Sequence, residues 1–233
     1  MSWLPVSSAA TLQAIIAIAR KDLLVEQRTK TAFFSSLVFA ILVLTVLYFA
    51  RDKTSVGDLD LAPGALWVTF TFAGMLGLNR AFVLERENRA MDGVRLTPAT
   101  PTAIFLGKVV GSLVFVGTVE LVSLPVFILF YDVPIWRELP ILILVIALAT
   151  MGFVSVGTLF ASMVVRTRFS EVMLPVLMLP FLFPPVVAAV QLTRGILAHR
   201  PLSEYSGWLS LLAAFVIIFS TFSLFLFEAI LEE

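Results

Sequence analysis

Six long apolar segments dominate this sequence and decide the solvent in which it folds. About 20 apolar residues span the hydrocarbon core of a bilayer. Six segments reach that length, at about residues 31–50, 63–84, 103–130, 139–165, 172–192 and 207–231. Hydrophobic residues make up 60% of the 233 residues and charged residues 14%, against about 45–50% and about 25% in soluble domains. The sequence therefore predicts an all-α integral membrane protein, a single transmembrane domain over residues 1–233.

The basic residues indicate how the segments are oriented. Six crossings leave both termini on one side of the membrane. Placing the termini in the cytoplasm leaves few basic residues outside, namely Arg51, Lys53, Arg137, Arg194 and Arg200. By the positive-inside rule, the sequence predicts cytoplasmic N- and C-termini. Because 16 basic residues balance 16 acidic ones, no overall positive field indicates a nucleic-acid partner.

Residues 11–30 form a separate element before the first span. At 100° per residue, one face carries Leu12, Ile15, Ile16, Ala19 and Leu23. The opposite face carries Gln13, Arg20, Lys21, Gln27 and Arg28. This pattern predicts an amphipathic helix that lies in the headgroup plane. A plain cytoplasmic lead-in to the first span is the alternative.

Glu120 is the acidic residue that lies deepest in a predicted span. If the third span enters the hydrocarbon near Val109, Glu120 lies about 16 Å deeper, close to the midplane. A charge at a helix centre costs about 2.5–3.5 kcal/mol on insertion scales. Lys108 cannot neutralise it, since the two are about 18 Å apart along the axis and about 120° apart around it. Glu120 is therefore protonated, paired with another helix or subunit, or exposed to a wet cavity. Its role is either structural, at a helix interface, or part of a transport path or gate.

Three more polar residues interrupt the spans near their cytoplasmic ends. Arg80 and Lys108 each lie within two turns of that end, where a long side chain reaches the headgroups by snorkelling. Asn79 is placed to form an interhelical hydrogen bond. With Glu120, these three are the candidate residues of a transport path or gate.

The fifth span contains four prolines in the run LPVLMLPFLFPP, at Pro175, Pro180, Pro184 and Pro185. Each proline removes a backbone donor and crowds the preceding turn. The run predicts a broken or re-entrant segment, with a simple kink as the alternative. Since lipid excludes exposed irregular backbone, a break must be buried or line a cavity.

The longest cytoplasmic loop begins with a charged stretch from Glu85 to Gly93. It reads as a short helix that Gly93 ends, with Glu85 and Arg89 spaced to form a pair. It is either a solvated connector or a docking helix for a cytoplasmic partner. The candidate docking residues are Glu85, Arg86, Glu87, Arg89 and Asp92.

The sequence lacks the residues that most catalytic sites need. It has no Cys and a single His, His199, which argues against a zinc site, a catalytic triad or a bis-His cofactor cage. It has no GxxxxGK[ST] motif, so ATP binding by a P-loop requires another subunit. The stretch GKVVG, Gly107 to Gly111, matches GxxxG, but so close to the membrane edge the match is weak. We expect a chain that is not itself an enzyme and binds no metal.

Four stretches carry a family resemblance. They are GALWVTFTFAGMLGLNRAFVLERE from Gly64, MDGVRLTPATPTAIFLGK from Met91, ARKDLLVEQRTK from Ala19 and LPVLMLPFLFPP from Leu174. Together they resemble the CcmB family, membrane subunits of the haem-exporter-type ABC system in bacterial cytochrome c maturation. The likeness covers nearly the whole chain. It departs at MDGVRLTPAT, where the family more often has an LEGLLLAP-like run.

The resemblance implies a six-helix permease of the ABC-2 type with an N-terminal interfacial helix and a cytoplasmic coupling segment. It implies a bacterial inner-membrane location and an ATPase partner of the CcmA type that binds ATP. It also implies association with CcmC and CcmD subunits, and indirectly with the periplasmic haem chaperone CcmE. Haem is then the possible transported substrate, and the second membrane half is another copy of this chain or a different subunit.

Three other functions stay open from the residues alone. The first is an ABC-2 permease for another amphipathic cargo, such as a lipid or glycan. The second is a non-transporting scaffold of the haem-attachment machinery. The third is a membrane-embedded enzyme, which would need clustered His, Asp or Cys at one depth, where only Glu120 is available.

Overall fold

The computed structural model describes residues 8–50, 58–87, 93, 97, 99–133, 137–164 and 170–232. In these ranges the chain forms seven long α-helices and one short 3₁₀ helix, and no strand. The helices are α1 (Ser8–Thr29), α2 (Thr31–Ala50), α3 (Asp58–Glu87), α4 (Pro101–Tyr131), α5 (Leu139–Val164), α6 (Ser170–Leu197) and α7 (Ser206–Glu232). The 3₁₀ helix, Leu202–Glu204, lies between α6 and α7.

The six helices α2 to α7 are each long and apolar enough to cross a membrane. Their candidate spans are Thr31–Ala50, Leu61–Val83, Pro101–Tyr131, Leu139–Val164, Val172–Leu197 and Ser206–Ile230. The predicted all-α membrane fold with six spans is therefore confirmed. Most boundaries agree to within two residues, but the fifth span continues beyond its predicted end at residue 192 to Leu197.

The helices α3 and α5 form the centre of the bundle. α3 is the most deeply buried span, whereas α2 and α7 are the least buried. α5 packs against α3, α4, α6 and α7. Its two glycines permit this, because a Cβ at Gly152 would lie 3.0 Å from the Phe215 ring and one at Gly157 would lie 2.7 Å from Leu78. Small residues let membrane helices approach closely where no hydrophobic effect drives them together.

Local signals explain where α4 begins and ends. The Thr100 hydroxyl accepts a hydrogen bond from the backbone N–H of Ala103 at 3.2 Å, and Pro101 follows it at the first helical position. A proline there loses nothing, because its missing N–H would have no partner in the first turn. Asp132 ends the helix in a left-handed conformation, with φ 45°. α4 therefore crosses the whole bundle as one element.

The proline-rich helix α6 is continuous from Ser170 to Leu197, so the predicted broken or re-entrant segment is wrong. Pro180 and Pro184 are exposed, Pro175 is half-buried and Pro185 is buried. Each proline removes one backbone hydrogen bond, but the bonds between the prolines persist. α6 also packs on α3, α5 and α7. Such packing against neighbouring helices is what makes proline tolerable inside a membrane helix.

The N-terminal helix α1 lies against α4, where two glycines receive it. A Cβ at Gly107 would lie 2.8 Å from the Ile18 Cβ and 3.0 Å from the Ile15 carbonyl oxygen, and one at Gly111 would lie 3.5 Å from the Ala19 Cα. The GxxxG match that looked weak in sequence is therefore the surface on which α1 packs. Two residues of the predicted apolar face of α1, Leu12 and Ile16, do not join this contact and are more than half exposed. That α1 lies in the headgroup plane stays a prediction.

A sharp turn connects α1 to α2. Lys30 adopts the left-handed conformation, with φ 56°. The Glu26 carboxylate accepts a hydrogen bond from the backbone N–H of Phe33 at 2.7 Å, which satisfies a donor in the first turn of α2. Burial raises the pKa of Glu26, and the backbone N–H groups of Phe33 and Ala32 partly offset that rise. The carboxylate thus fixes the angle at which α2 leaves α1.

We predict that Gly107→Ala and Gly117→Ala have different effects on stability. At Gly107 an added methyl group overpacks the contact with α1 and should lower the free energy of unfolding by about 1–3 kcal/mol. At Gly117 a Cβ would have no neighbour within 4 Å. Alanine there should be neutral or stabilising by up to ~1 kcal/mol, because it is the better helix former. Thermal unfolding of the two variants in detergent measures the difference, and equal midpoints would contradict the contact between α1 and α4.

Candidate functional site

Glu120 and Thr150 form a buried polar pair in the middle of the bundle. Glu120 is 6% exposed. The Thr150 hydroxyl lies 2.7 Å from one of its carboxyl oxygens and 2.9 Å from the other. At 1.5 Å per residue, Glu120 is about 16 Å from the end of α4 at Tyr131, and Thr150 is about 16 Å from the start of α5. Since a hydroxyl has one hydrogen, Thr150 donates one hydrogen bond and leaves the carboxyl group with capacity for more.

A small, partly open cavity of about 20 Å³ lies beside this pair. α3 lines it with Trp67, Phe70 and Thr71, α4 with Glu120, α5 with Ala149, Thr150 and Phe153, and α6 with Leu182, Pro185 and Val186. A cavity of this volume holds one water, provided that it offers polar partners. The Glu120 carboxyl and the Thr71 and Thr150 hydroxyls are such partners. The cavity is therefore suited to a single water that completes the hydrogen bonding of Glu120.

A groove of about 430 Å³ between α4 and α5 also borders the pair. Its walls are mostly aliphatic, formed by Leu113, Gly117, Leu121, Leu124, Ile143, Ile146, Ala147 and Met151, with Glu120 and Thr150 among them. The groove opens at the surface of the bundle, where Leu121 is 65% exposed. We call this groove the α4–α5 groove. Glu120 thus lines both a small cavity and an apolar surface groove.

Asn79, Arg80 and Lys108 do not lie with Glu120. Arg80 is exposed and Asn79 half-buried near the end of the α3 span at Val83. They are about 20 Å along α3 from Trp67, which lines the cavity beside Glu120. The structure therefore separates the four candidate residues of a transport path. Glu120 lies alone, whereas Asn79 and Arg80 lie near the C-terminal end of α3 and Lys108 lies near the N-terminal end of α4.

Lys108 is buried rather than snorkelling, contrary to the prediction. Its side chain is 2% exposed, and its ammonium nitrogen lies 3.9 Å from a carboxylate oxygen of Asp22 on α1. The same nitrogen lies 5.2 Å from the centre of the Phe82 ring on α3. The prediction failed because the sequence did not show that α1 covers this part of α4. We call Asp22, Phe82 and Lys108 the Lys108 junction.

The predicted docking residues lie at or beyond the end of α3. The helix continues through Glu85, Arg86 and Glu87, so its last turn belongs to the charged stretch. The side chains of these three residues, and all of Arg89 and Asp92, lie outside the described residues. Gly93 has helical backbone, and its neighbours on both sides lie outside the described residues, so the end of the charged helix at Gly93 stays a prediction.

Long-range contacts at the opposite end of the bundle were not predicted. The Trp67 indole N–H donates to the Thr193 hydroxyl at 2.8 Å and links α3 to α6. His199 lies 3.4 Å from a carboxylate oxygen of Glu138. Burial, followed by the nearby Glu138 charge, raises the pKa of Tyr205. Among the described residues no group of three His, Cys, Asp or Glu could hold a metal ion.

Comparison with known proteins decides the family. The family model described as "CcmB protein" matches residues 13–233. The chain belongs to the CcmB family. Its relatives include "Heme exporter protein B" of Rhodobacter capsulatus, 25% identical over 199 residues, which are 82% of this chain and 89% of the relative. The protein of the same name from Pseudomonas aeruginosa is 27% identical over 188 residues, 81% of this chain and 84% of the relative. That of Paracoccus denitrificans is 27% identical over 178 residues, 76% and 81% of the two chains.

The CcmB match includes both parts of the candidate site. It begins before Asp22 and extends past α7, so the Lys108 junction and the Glu120–Thr150 pair both lie within the family region. Sequence reasoning found Lys108 and Glu120, but neither of their partners. Asp22 follows Ile18 by four residues and so shares the α1 face that packs on GKVVG, but only the structure shows that packing. Thr150 carried no signal, because a threonine in an apolar span is ordinary.

Proposed function

We propose that this chain is the transmembrane subunit of an ABC-type complex that serves cytochrome c maturation by exporting haem or by releasing haem-loaded chaperone. The observation that supports this function is the CcmB family match over residues 13–233, together with relatives named heme exporter protein B. The matched residues make up 89% and 84% of two of these relatives, so the likeness is not confined to a shared segment. The six-span bundle is the architecture that such a subunit needs.

The proposed complex contains several other subunits. An ATPase of the CcmA type binds and hydrolyses ATP, because this chain has no P-loop motif of its own. CcmC- and CcmD-type subunits share the bacterial inner membrane with it, and the chaperone CcmE receives haem on the periplasmic side. The distribution of basic residues supports cytoplasmic N- and C-termini. A second copy of this chain or a different subunit supplies the other membrane half.

The function is tested by complementation. Expression of this chain in a bacterium that lacks its own CcmB-family subunit should restore covalent haem in c-type cytochromes, measured by haem staining after denaturing electrophoresis. Lack of restoration by a chain that inserts and binds its ATPase would favour a different cargo, such as a lipid or glycan. Haem flux in reconstituted vesicles, with and without ATP, separates a transporter from a scaffold.

The coupling segment, residues 85–93, is the proposed docking site of the ATPase. It begins as the last turn of α3, and the α3 span is the most deeply buried in the bundle. A continuous helix transmits displacement along its axis without a hinge. A push on Glu85, Arg86 and Glu87 would therefore reach the bundle centre directly through α3, with Arg89, Asp92 and the rest of the segment completing the contact.

We predict that reversing the charges at Glu85, Arg86 and Glu87 abolishes ATPase binding without preventing membrane insertion. The reason is that an exposed docking helix with alternating charges is selected by charge complementarity. Co-purification of the ATPase with the tagged chain measures binding. Reversal of the exposed outer charges at Arg200 and Glu204 is the matched control and should leave binding unchanged. Normal co-purification of the triple variant would contradict the docking assignment.

Glu120 is the proposed residue of the transport path or its gate. Its position in the lining of both the small cavity and the α4–α5 groove supports this role. A carboxyl group at this depth is costly and is retained where it has a polar task. An amphipathic cargo that entered the α4–α5 groove from the lipid would meet Glu120 and Thr150 as its first polar groups. Asn79 and Arg80 then remain candidates for the cytoplasmic end of the path.

We predict that Glu120→Gln folds normally but loses most cytochrome c maturation. Glutamine keeps the volume and can still accept a hydrogen bond from Thr150, but it cannot carry or release a proton. Haem staining of c-type cytochromes and the amount of inserted protein are measured together. Glu228→Gln, at an exposed position near the end of α7, is the control. Full maturation by Glu120→Gln would leave Glu120 with a structural role only.

A further inference from the structure

Lys108 and Asp22 bring opposite charges together across the contact between α1 and α4. The Lys108 side chain is 2% exposed and that of Asp22 is 29% exposed, with 3.9 Å between the ammonium nitrogen and the carboxylate oxygen. Asp22 also pairs with Lys21 at 2.8 Å, at the exposed edge of α1. Since a buried ammonium group without compensation is strongly destabilising, the Asp22 carboxylate stabilises Lys108 in its buried position.

The two glycines on either side of Lys108 make this cover possible. Gly107 and Gly111 are four residues apart and therefore lie on one face of α4. A Cβ at Gly111 would lie 3.5 Å from the Cα of Ala19 and equally far from the Cβ of Asp22. The α1 backbone thus approaches α4 closely enough to enclose the aliphatic part of Lys108. Close packing and the ion pair act at the same place.

Lys108 also contacts a third helix. Its ammonium nitrogen lies 5.2 Å from the centre of the Phe82 ring, within the range of a cation–π interaction. Phe82 is on α3, less than two turns before the end of that helix at Glu87. One ammonium group therefore joins α1, α4 and the end of the helix that leads into the coupling segment.

We propose that Asp22 and Lys108 clamp α1 to α4, so that α1, α4 and the cytoplasmic end of α3 move as one rigid body in the transport cycle. The two are positioning residues, which act by transmitting displacement of the coupling segment to α4 and α1. This inference rests on the proposed function, because it assigns the clamp to ATP-driven movement. Without the clamp, α3 would move past α4 and ATP hydrolysis would be uncoupled from transport.

Engineered cysteines give a direct test, because the chain contains no cysteine. The 3.5 Å between the Asp22 Cβ and a Cβ at Gly111 falls within the range of a disulfide, about 3.5–4.5 Å. In Asp22→Cys with Gly111→Cys, the reduced form lacks the carboxylate and the oxidised form replaces the ion pair by a covalent bond. Labelling of free thiols before and after oxidation reports disulfide formation. Asp22→Cys with Gly117→Cys is the control pair and should not form a disulfide.

The expected result is that oxidation restores coupling. In the purified complex, the reduced double variant should hydrolyse ATP with most of its haem transfer lost, and the oxidised form should recover transfer per ATP hydrolysed. If the Asp22–Lys108 pair had a purely structural role, the double variant would differ in amount and melting temperature, but the haem transferred per ATP hydrolysed would not change. If the oxidised form transferred no haem while the reduced form did, α1 would have to move against α4 during transport. If both forms transferred as much haem per ATP hydrolysed as the wild type, no clamp would be needed. Each of these last two outcomes would overturn the proposal.

A charge exchange separates this inference from the proposed function. Asp22→Lys and Lys108→Asp should each lower the thermal midpoint in detergent, and the double variant should regain part of the loss. Absence of this coupling energy in a double-mutant cycle overturns the clamp, whatever the cargo is. Failure of the wild-type chain to restore cytochrome c maturation would overturn the function, but it would leave this coupling energy unchanged.

Discussion

A bilayer supplies no hydrogen-bond partners, and most of this structure follows from that constraint. A polar group inside the spans is costly unless it finds a partner within the protein or faces a cavity. Serine and threonine meet the requirement cheaply, as when the Ser123 hydroxyl donates to the Val119 carbonyl oxygen of its own helix. Ionisable groups cannot do so. Glu120 and Lys108 therefore determine local packing, and each is found where a second helix brings it a polar partner.

The two ionisable groups are accommodated in opposite ways. Lys108 lies near one end of its span and is enclosed by a tight contact, in which glycines bring α1 against α4 and Asp22 supplies the charge. Glu120 lies near the middle, with a neutral hydroxyl as its partner and space on both sides. A paired and enclosed charge stabilises one arrangement of helices. A carboxyl group with spare capacity and adjacent space is suited to a changing set of partners.

The sequence predicted the features that are encoded in neighbouring residues, but not the contacts between residues that are distant in sequence. The lengths of the apolar segments alone predicted the six spans, because the thickness of the bilayer sets the number of residues that a spanning helix needs. Glu120 and Lys108 stood out because charge in a span is rare. Their partners could not be predicted, since Thr150 and Asp22 become neighbours only through helix packing. The continuity of α6 was missed for a similar reason, as proline breaks a helix in isolation but not one that is held by three neighbours.

The contrast between the two faces of α4 suggests where a movement would be taken up. On one face, α4 receives α1 at glycine contacts too close for any added methyl group at Gly107. On the other face, toward α5, it borders a cavity and the α4–α5 groove. If α1, α4 and the end of α3 move as one body, the displacement must occur at the looser of these contacts, because close-packed interfaces do not deform continuously. The Glu120–Thr150 hydrogen bond bridges that looser contact. Movement driven from the Lys108 junction would then first displace Glu120, the one carboxyl group that lies at mid-depth among the described residues of the spans.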